Sequence, residues 1–426
     1  MHDAFPPPGY MLTESAVAGI TLYKPAPDHG PHQKVVNFRC PHCDGVTAYS
    51  TDNGGLTCGY CGYHEAPQVE QVGRQAEEFE FTVEAWERSS HGWGQARKEL
   101  ECQSCSAHTT LSTEMLTHTC PFCGSNKVVQ IKAPQDVLRP RFLIPFDLTT
   151  DQCRQQVGKW LGSSWMVPKG LQRLGRSTEF VPIYIPFWTF DARTTAAWRA
   201  EVAHTQRYTV RVNGRTQTRT RTVWRWESGN VSHFFDDLPV PGSNKLSPIL
   251  LSQIDRYDLD RLVVYDPAFL AGLQAQAYDI PLDAAWDQAR QQMRVTTKQA
   301  CRRQASSNRM RNFSMNLDFS EESWRYILLP LYLAVYHYGQ QPYQIMINGQ
   351  TGQIAGQRPV DWRKVGLAMA AALLPALLTT LIALILSWWQ PGTPVSTFLM
   401  AAFAFLVFGG IVAALIFNKA RGMDEI

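Results

Sequence analysis

With 426 residues, 45% of them hydrophobic and 18% charged, the chain is too long for one ordinary core and too apolar to be disordered throughout, so two or more folded units are expected. Its formal net charge of +3 is too small to argue for or against a polyanionic partner, and any electrostatic case must be local.

The first segment, 1–36, carries Pro6, Pro7, Pro8, Pro25, Pro27 and Pro31 and reads as a flexible Pro-rich leader. MHDAFPPPGY has no basic stretch followed by an apolar run, so no cleavable secretory signal is expected.

Eight of the 10 cysteines then form a repeated layout. Cys40-Pro-His-Cys43 is followed after 14 residues by Cys58-Gly-Tyr-Cys61, and Cys102-Gln-Ser-Cys105 after 14 residues by Cys120-Pro-Phe-Cys123. The second quartet is the first displaced by 62 positions, and Thr57-Cys58 and Gly62 recur as Thr119-Cys120 and Gly124, which marks an internal duplication. Each Cys-x-x-Cys turns two thiolates toward one ion, and two such knuckles joined by a short hairpin complete a tetrahedron. Two tandem zinc ribbons are therefore expected, at 37–66 and 98–128, each holding one structural Zn2+; iron in a rubredoxin-like site is the competing occupant. Four thiolates leave no open position for a water, so a metal there holds shape and does no chemistry. Each ribbon is so small that its metal should supply much of the folding free energy, on the order of 10 kcal/mol. Reducing surroundings disfavour a disulfide framework. His42, His64, His108 and His118 read as loop residues, and Cys153 and Cys301 as plain thiols on helices. The intervening 67–97, with Glu77, Glu78, Phe79, Phe81 and Trp86, reads as a linker that could hold strands.

From 129 to 361 the pattern predicts an α+β domain with a mostly antiparallel sheet. Thr149, Thr150 and Asp151 start an amphipathic helix over 152–161, and a second helix runs over 282–303. Strands are expected over 180–192, 261–265, 326–338 and 342–348, with a tight turn at Asn348-Gly-Gln-Thr-Gly352. Asn213-Gly214 predicts the turn of a long hairpin, because both turn positions need positive φ. The hairpin carries Arg207, Arg211, Arg215, Arg219, Arg221 and Arg225, with no acidic residue between Val202 and Trp226. Period-two alternation sets Arg215, Arg219, Arg221 and Arg225 on one face and a Thr/Trp row (Thr216 to Trp226) on the other. Such a ribbon suits lipid headgroups, nucleic acid or an acidic protein. The plainer reading is a solvated ribbon that its charges protect from edge pairing.

The C-terminal region, 362–426, has no charged residue and no His from Val365 to Asn418. Residues 365–389 and 395–417 are each long enough, at about 37 and 35 Å as helices, to cross a hydrocarbon core of about 30 Å. They predict a transmembrane hairpin around Gln390-Pro-Gly-Thr-Pro394, followed by a short tail. Arg358, Arg363 and Lys364 before it and Lys419 and Arg421 after it put both ends on the cytoplasmic side. Pro375 should bend the first span, and Gly366/Ala370 and Gly409/Gly410 offer small faces for helix contact. With no ionisable residue inside the spans, a proton or ion path is not expected. The hairpin reads as an anchor.

Several stretches, VPIYIPFWTFDA (181–192), DDLPVPGSNKL (236–246), YDPAFLAGLQAQAYDI (265–280), LLPLYLAVYHYG (328–339) and INGQTGQIAGQRPV (347–360), resemble a bacterial family of TFIIB-type zinc-ribbon membrane proteins. Members often carry automatic names invoking primosomal protein N-prime, replication factor Y or a helicase. No G-x-x-x-x-G-K-[ST] loop supports an ATP-driven activity here. The resemblance implies a bacterial inner membrane as the location and a neighbourhood of SPFH-domain and phage-shock-type membrane proteins as recruitment partners; many relatives carry one ribbon where this chain carries two.

No G-x-S-x-G, H-E-x-x-H or nucleotide fingerprint is present, and the acid pairs Asp236-Asp237 and Glu321-Glu322 read as loop or helix-start residues. The expected function is a membrane-anchored cytoplasmic adaptor presenting two metal-held knobs to a protein partner, with no catalytic step and no small-molecule substrate. A membrane-tethered nucleic-acid binder is the competing expectation.

Overall fold

The structure, a computed structural model, describes residues 10–13, 22–25, 38–67, 69–80, 97–112, 120–131, 138–212, 215–339, 341–389 and 395–424. Most of the leader, much of the linker, His118 and the turns at 213–214 and 390–394 lie outside them. Strands β1 (Tyr10–Thr13) and β2 (Leu22–Pro25) pair with each other, and β3 (Thr47–Ser50), β4 (Gly55–Cys58) and β5 (His64–Glu65) form a small antiparallel sheet. Twelve strands make the main sheet: β6 (Phe79–Glu80), β7 (Arg97–Cys102), β8 (His108–Ser112), β9 (Val128–Ile131), β10 (Phe142–Leu143), β11 (Val181–Val212), β12 (Arg215–Pro241), β13 (Val263–Val264), β14 (Gln274–Ala275), β15 (Met310–Tyr338), β16 (Gln341–Asn348) and β17 (Ile354–Gly356). The described helices are α1 (Thr150–Leu161), α2 (Leu171–Ser177), α3 (Pro248–Leu251), α4 (Leu282–Gln304), α5 (Trp362–Trp389) and α6 (Val395–Asp424).

The sheet is mixed, which corrects the mostly antiparallel expectation: β10 runs parallel to β15, and β14 parallel to β11. A tight hairpin forces antiparallel pairing, but these two short strands reach their partners through long connections that leave direction free. Two further corrections concern length. β11 is one strand of 32 residues, not a strand over 180–192 followed by a separate hairpin, and β15 spans 29 residues starting at Met310 rather than at 326. The strand expected over 261–265 shrinks to β13 after a 3-10 turn at Leu259–Arg261.

The burial of β11 follows its residue pattern. The run Ile183–Phe190, apolar except for Thr189, is buried on both faces, as in a sheet covered on both sides. Beyond it Thr194, Ala196, Trp198, Ala200 and Val202 are buried while Thr195, Ala197 and Arg199 face solvent, the alternation of a sheet covered on one side. The cover is α4, whose Ala285, Ala289 and Met293 are fully buried, Ala285 and Ala289 being small enough for close approach. Strands β12, β11 and β15, side by side, thus form an arm leaving the body, and β15 ends at Met310 opposite Val202. Past that point β11 and β12 continue alone as a ribbon up to the pair Val212 and Arg215.

Body and C-terminal helices share one apolar cluster: Tyr184, Leu328, Tyr332 and Ala334 of the arm root belong with α1 and α2, Val365 of α5 and Ala420 and Met423 of α6. Thr149 caps α1 by a reciprocal capping box with Gln152. Polar contacts add to the joint: Asp361 N donates to the Met166 carbonyl (2.8 Å), Arg358 N to that of Met423 (2.9 Å) and Lys364 Nζ to that of Val167 (2.7 Å). Helices α5 and α6 are long and apolar enough to cross a membrane. They approach closely at Gly409, where a Cβ would stand 2.4 Å from the Ala372 carbonyl oxygen, while among the described residues nothing lies within 4 Å of a Cβ built at Gly366 or Gly410.

Candidate metal centres, an ion cluster and a basic ribbon

All four knuckles share one backbone plan. The amide of the first cysteine donates to the carbonyl five residues on (Cys40 to Gly45, Cys58 to Tyr63, Cys102 to Ala107, Cys120 to Ser125), and the residue four on returns a bond to that cysteine's carbonyl. The returning residue has positive φ in every case: Asp44 57°, Gly62 74°, Ser106 53° and Gly124 71°. The chain thereby folds over each cysteine pair and aims both sulfurs inward.

Cys40, Cys43, Cys58 and Cys61 form one group and Cys102, Cys105, Cys120 and Cys123 the other, with all four Sγ atoms of each within 4.8 Å of one another. The contacts Cys40–Cys61, Cys43–Cys58, Cys102–Cys123 and Cys105–Cys120 measure 3.4, 3.5, 3.6 and 3.7 Å. A metal–sulfur bond of about 2.3 Å gives a tetrahedron edge of about 3.8 Å, close to these spacings, whereas a disulfide would need about 2.05 Å. The groups fit a metal ion. Backbone amides of Cys61 and Tyr60 hold the Cys58 thiol down to about 6. At Cys102, burial opposes ionisation, yet the amides of Ser104 and Cys105 bring it to about 7. His64 and His108 lie in strands β5 and β8, not in loops as expected, and each has a partner of its own: His64 Nδ1 meets Thr57 Oγ1 at 3.3 Å, and His108 pairs with Glu99 at 2.7 Å.

The two groups are not equivalent knobs. Cys102, Ala107, Cys120 and Phe122 belong to a body cluster with Ile185, Leu331 and Met346; β7, β8 and β9 join the main sheet, and Gln344 Nε2 donates to the Phe122 carbonyl at 3.0 Å. The first group keeps its own small sheet, leaves Cys43 and Cys61 exposed, and rests on the body through Tyr49, whose amide donates to the Ala271 carbonyl at 2.7 Å. Gly272 makes that seat: its φ is +73° and a Cβ there would stand 2.6 Å from Ala48 Cβ. Gly272→Ala should therefore loosen the first group alone, at a cost of about 1–3 kcal/mol. A chelator with a chromogenic readout should release one of two ions faster than in wild type.

At the arm root, Asp191 interrupts the run Phe187-Trp-Thr-Phe190, and both neighbouring strands bulge beside it. Asp237 of β12 and Glu321 of β15 take positive φ there, 56° and 54°. These acids lie within strands, which corrects the loop or helix-start expectation for Asp236-Asp237 and Glu321-Glu322; an extra residue in a strand is accommodated as a bulge, leaving the ladder otherwise intact. The bulges gather charge: the fully buried Arg325 meets Asp237 at 3.1 Å, Asp191 at 4.0 Å, and Glu78 in a close ion pair. Asp237 N donates to Asp191 Oδ1 at 2.6 Å. Sequence reasoning missed this cluster; its signal was a charged residue inside each of two apolar runs, Asp191 and Arg325.

Burial, then the nearby Glu78 and Asp237 charges, push the Asp191 carboxyl from 3.8 up to about 7. A folded pKa above the unfolded one means that the native state holds an extra proton between these values, so this group makes stability fall as pH rises from 3.8 through 7. Glu78 is shifted the other way, below 4.5, against its burial, by Ser323 and Arg325, so its effect lies in a more acidic window. Asp191→Asn should thus flatten the loss of Tm between about pH 5.5 and 8 and be better tolerated at the higher value. Thermal unfolding in detergent at both pH values checks this.

In the ribbon, cross-strand register pairs Arg215 with Val212, Arg219 with Tyr208, Arg221 with Gln206 and Arg225 with Val202, and it sets Arg207 opposite Thr220 and Arg211 opposite Thr216. Residues opposite one another share a face. Arg215, Arg219, Arg221 and Arg225 therefore line one face, while Arg207 and Arg211 stand on the other among the threonines. All six side chains are exposed.

The class of chain so defined has two four-cysteine groups able to hold metal, a mixed-sheet body with a long arm, and two apolar C-terminal helices. A curated protein of Bacillus subtilis (strain 168), described as uncharacterized protein YdjG, is 22% identical over 332 residues, covering 78% of this chain and 92% of that protein. No family model and no solved structure matches the chain.

Proposed function

We propose that the chain is a membrane-anchored adaptor that holds a protein partner at the cytoplasmic face of a bacterial inner membrane, with zinc in both four-cysteine groups as a structural ion. The observation that carries this reading is the reach of the arm. Its root shares an apolar cluster with the anchor helices, and from Val181 the strand runs on to Val212, about 100 Å along an extended chain. A device that joins an anchor to a distant exposed ribbon suits capture of a partner. The basic residues flanking the spans support a cytoplasmic body. Closed thiolate groups support a structural metal of the TFIIB-ribbon kind, and the motif resemblance supports an SPFH-type or phage-shock-type membrane protein as the partner.

The test is affinity purification of the full chain from membranes in mild detergent, with mass spectrometry of bound protein and of metal. About two zinc ions per chain and a reproducibly enriched membrane-associated protein are expected. Recovery of the chain alone after in-cell cross-linking would refute the adaptor reading, and iron in the sites would refute the zinc assignment.

A further inference from the structure

Arginines in the three-stranded part of the arm have partners: Arg193 pairs with Glu321 at 2.8 Å, Arg311 with Glu201, and Arg199 Nε donates to Ser314 Oγ at 3.1 Å. Beyond Ala203 this stops. Arg221 Nε donates to Gln206 Oε1 at 2.9 Å and its guanidinium lies over Tyr208, but among the described residues no carboxylate lies within ion-pair distance of Arg207, Arg211, Arg215, Arg219, Arg221 or Arg225. Glu201 and Glu227, which flank the ribbon, are committed to Arg311 and His204. In the three-stranded part Arg193 and Arg311 are neutralised and Arg199 meets a hydroxyl, whereas the ribbon arginines, from Arg225 opposite Val202 at the last row of β15 outward, meet no carboxylate among the described residues. A two-stranded ribbon exposed on both faces is marginal alone, and this one also bears self-repelling charge.

We propose that β12 completes itself from outside: an acidic, extended segment of a protein partner adds to its open edge along 215–226. This rests on the adaptor reading. Among the described residues β12 pairs with β11 alone, so its outer edge offers a free ladder of amides and carbonyls, the element used in strand addition. A strand laid there would place its side chains about 5 Å from Arg215, Arg219, Arg221 and Arg225, so acids at alternate positions would meet them on one face. Self-association by the same edge is opposed, because two copies would set arginine against arginine. A bilayer surface would engage one face only, whereas this ribbon carries arginine on both. Exposed Trp226, at 60%, stands at the base of the ribbon as an apolar contact.

The experiment uses the full chain in detergent and a fluorescent peptide of about twelve residues alternating Glu and Thr, matched with one of equal charge broken by a central Pro. Duplex DNA and phosphatidylglycerol vesicles are the other probes. The alternating peptide should bind in a salt-dependent manner. Arg215→Glu, Arg219→Glu, Arg221→Glu and Arg225→Glu together should weaken it by more than about a hundredfold, while the four Arg→Lys changes keep most of the affinity. Absence of binding, or equal binding of the Pro-broken peptide, overturns strand addition. Tighter binding of DNA or vesicles at the same salt overturns the choice of a protein. In membrane purifications, a partner still captured by the four-Glu variant sinks the ribbon proposal and leaves the adaptor standing; a partner never captured by wild type sinks the adaptor.

Discussion

Cys120→Ser should unfold far more of the protein than Cys58→Ser, although the two cysteines hold matching places in the repeat. If each group holds a metal, each change would remove one of four ligands and so part of a metal-binding free energy on the order of 10 kcal/mol. Where that loss is felt depends on what the module touches. Cys58 lies in the small sheet β3–β4–β5, which can open while the main sheet stays paired. Cys120 belongs to the cluster that includes Ile185, Leu331 and Met346, and β7, β8 and β9 are strands of the main sheet. Hydrogen exchange should show loss of protection in Cys58→Ser confined to about residues 38–67, and in Cys120→Ser spreading to β14 and β16 with a much larger fall in Tm. Equal, local effects in both variants would show that the second module is not built into the body.

Arg325→Met should be the most damaging single substitution outside the metal groups. Among the described residues the guanidinium is the cation buried in the bulge, and its removal leaves Glu78 and Asp191 without a cation and Asp237 with only the half-exposed Arg74 at 3.6 Å. Breaking a buried ion pair by deleting one partner costs about 3–5 kcal/mol. The cost should shrink as pH falls, since burial raises the Asp191 pKa to about 7 and lets that carboxyl become neutral, with Asp237 shifted in the same direction. Denaturation of the variant at about pH 5.5 and 8, compared with wild type, reads this directly. Pairing it with Asp237→Asn should recover part of the loss at high pH; strictly additive costs would mean that the two residues do not interact.

Much of the candidate site was legible beforehand because it is written in local chemistry. Cysteine spacing is a short-range property, and knuckle geometry follows from a few residues around each pair, so which eight cysteines come together, and in which two groups, could be read in advance. The same holds for helix α1 with its capping box, for α4 with its apolar spacing, and for the two apolar helices at the C-terminus. The strands fared worse. An alternating stretch such as Thr194–Val202 says that one face is covered but not by what, and nothing local distinguishes a strand that stops at 192 from one that continues for twenty residues more.

The tertiary structure decided three things that depend on pairs distant in sequence. It made the sheet mixed, since the direction of β10 and β14 is set by long connections and not by turns. It gave duplicated modules different standing, because one lies on the open surface of the body and the other lies in its sheet. It divided the six ribbon arginines between two faces and withheld a third strand from them, because facing is fixed by cross-strand register and β15 happens to end at Met310. Composition and spacing by themselves determined two four-cysteine groups able to hold metal, two C-terminal helices long and apolar enough to cross a membrane, and one arginine-rich hairpin. Which of those surfaces remains open to a partner was settled only by long-range pairing, since burial and neutralisation are properties of contacts and not of residues.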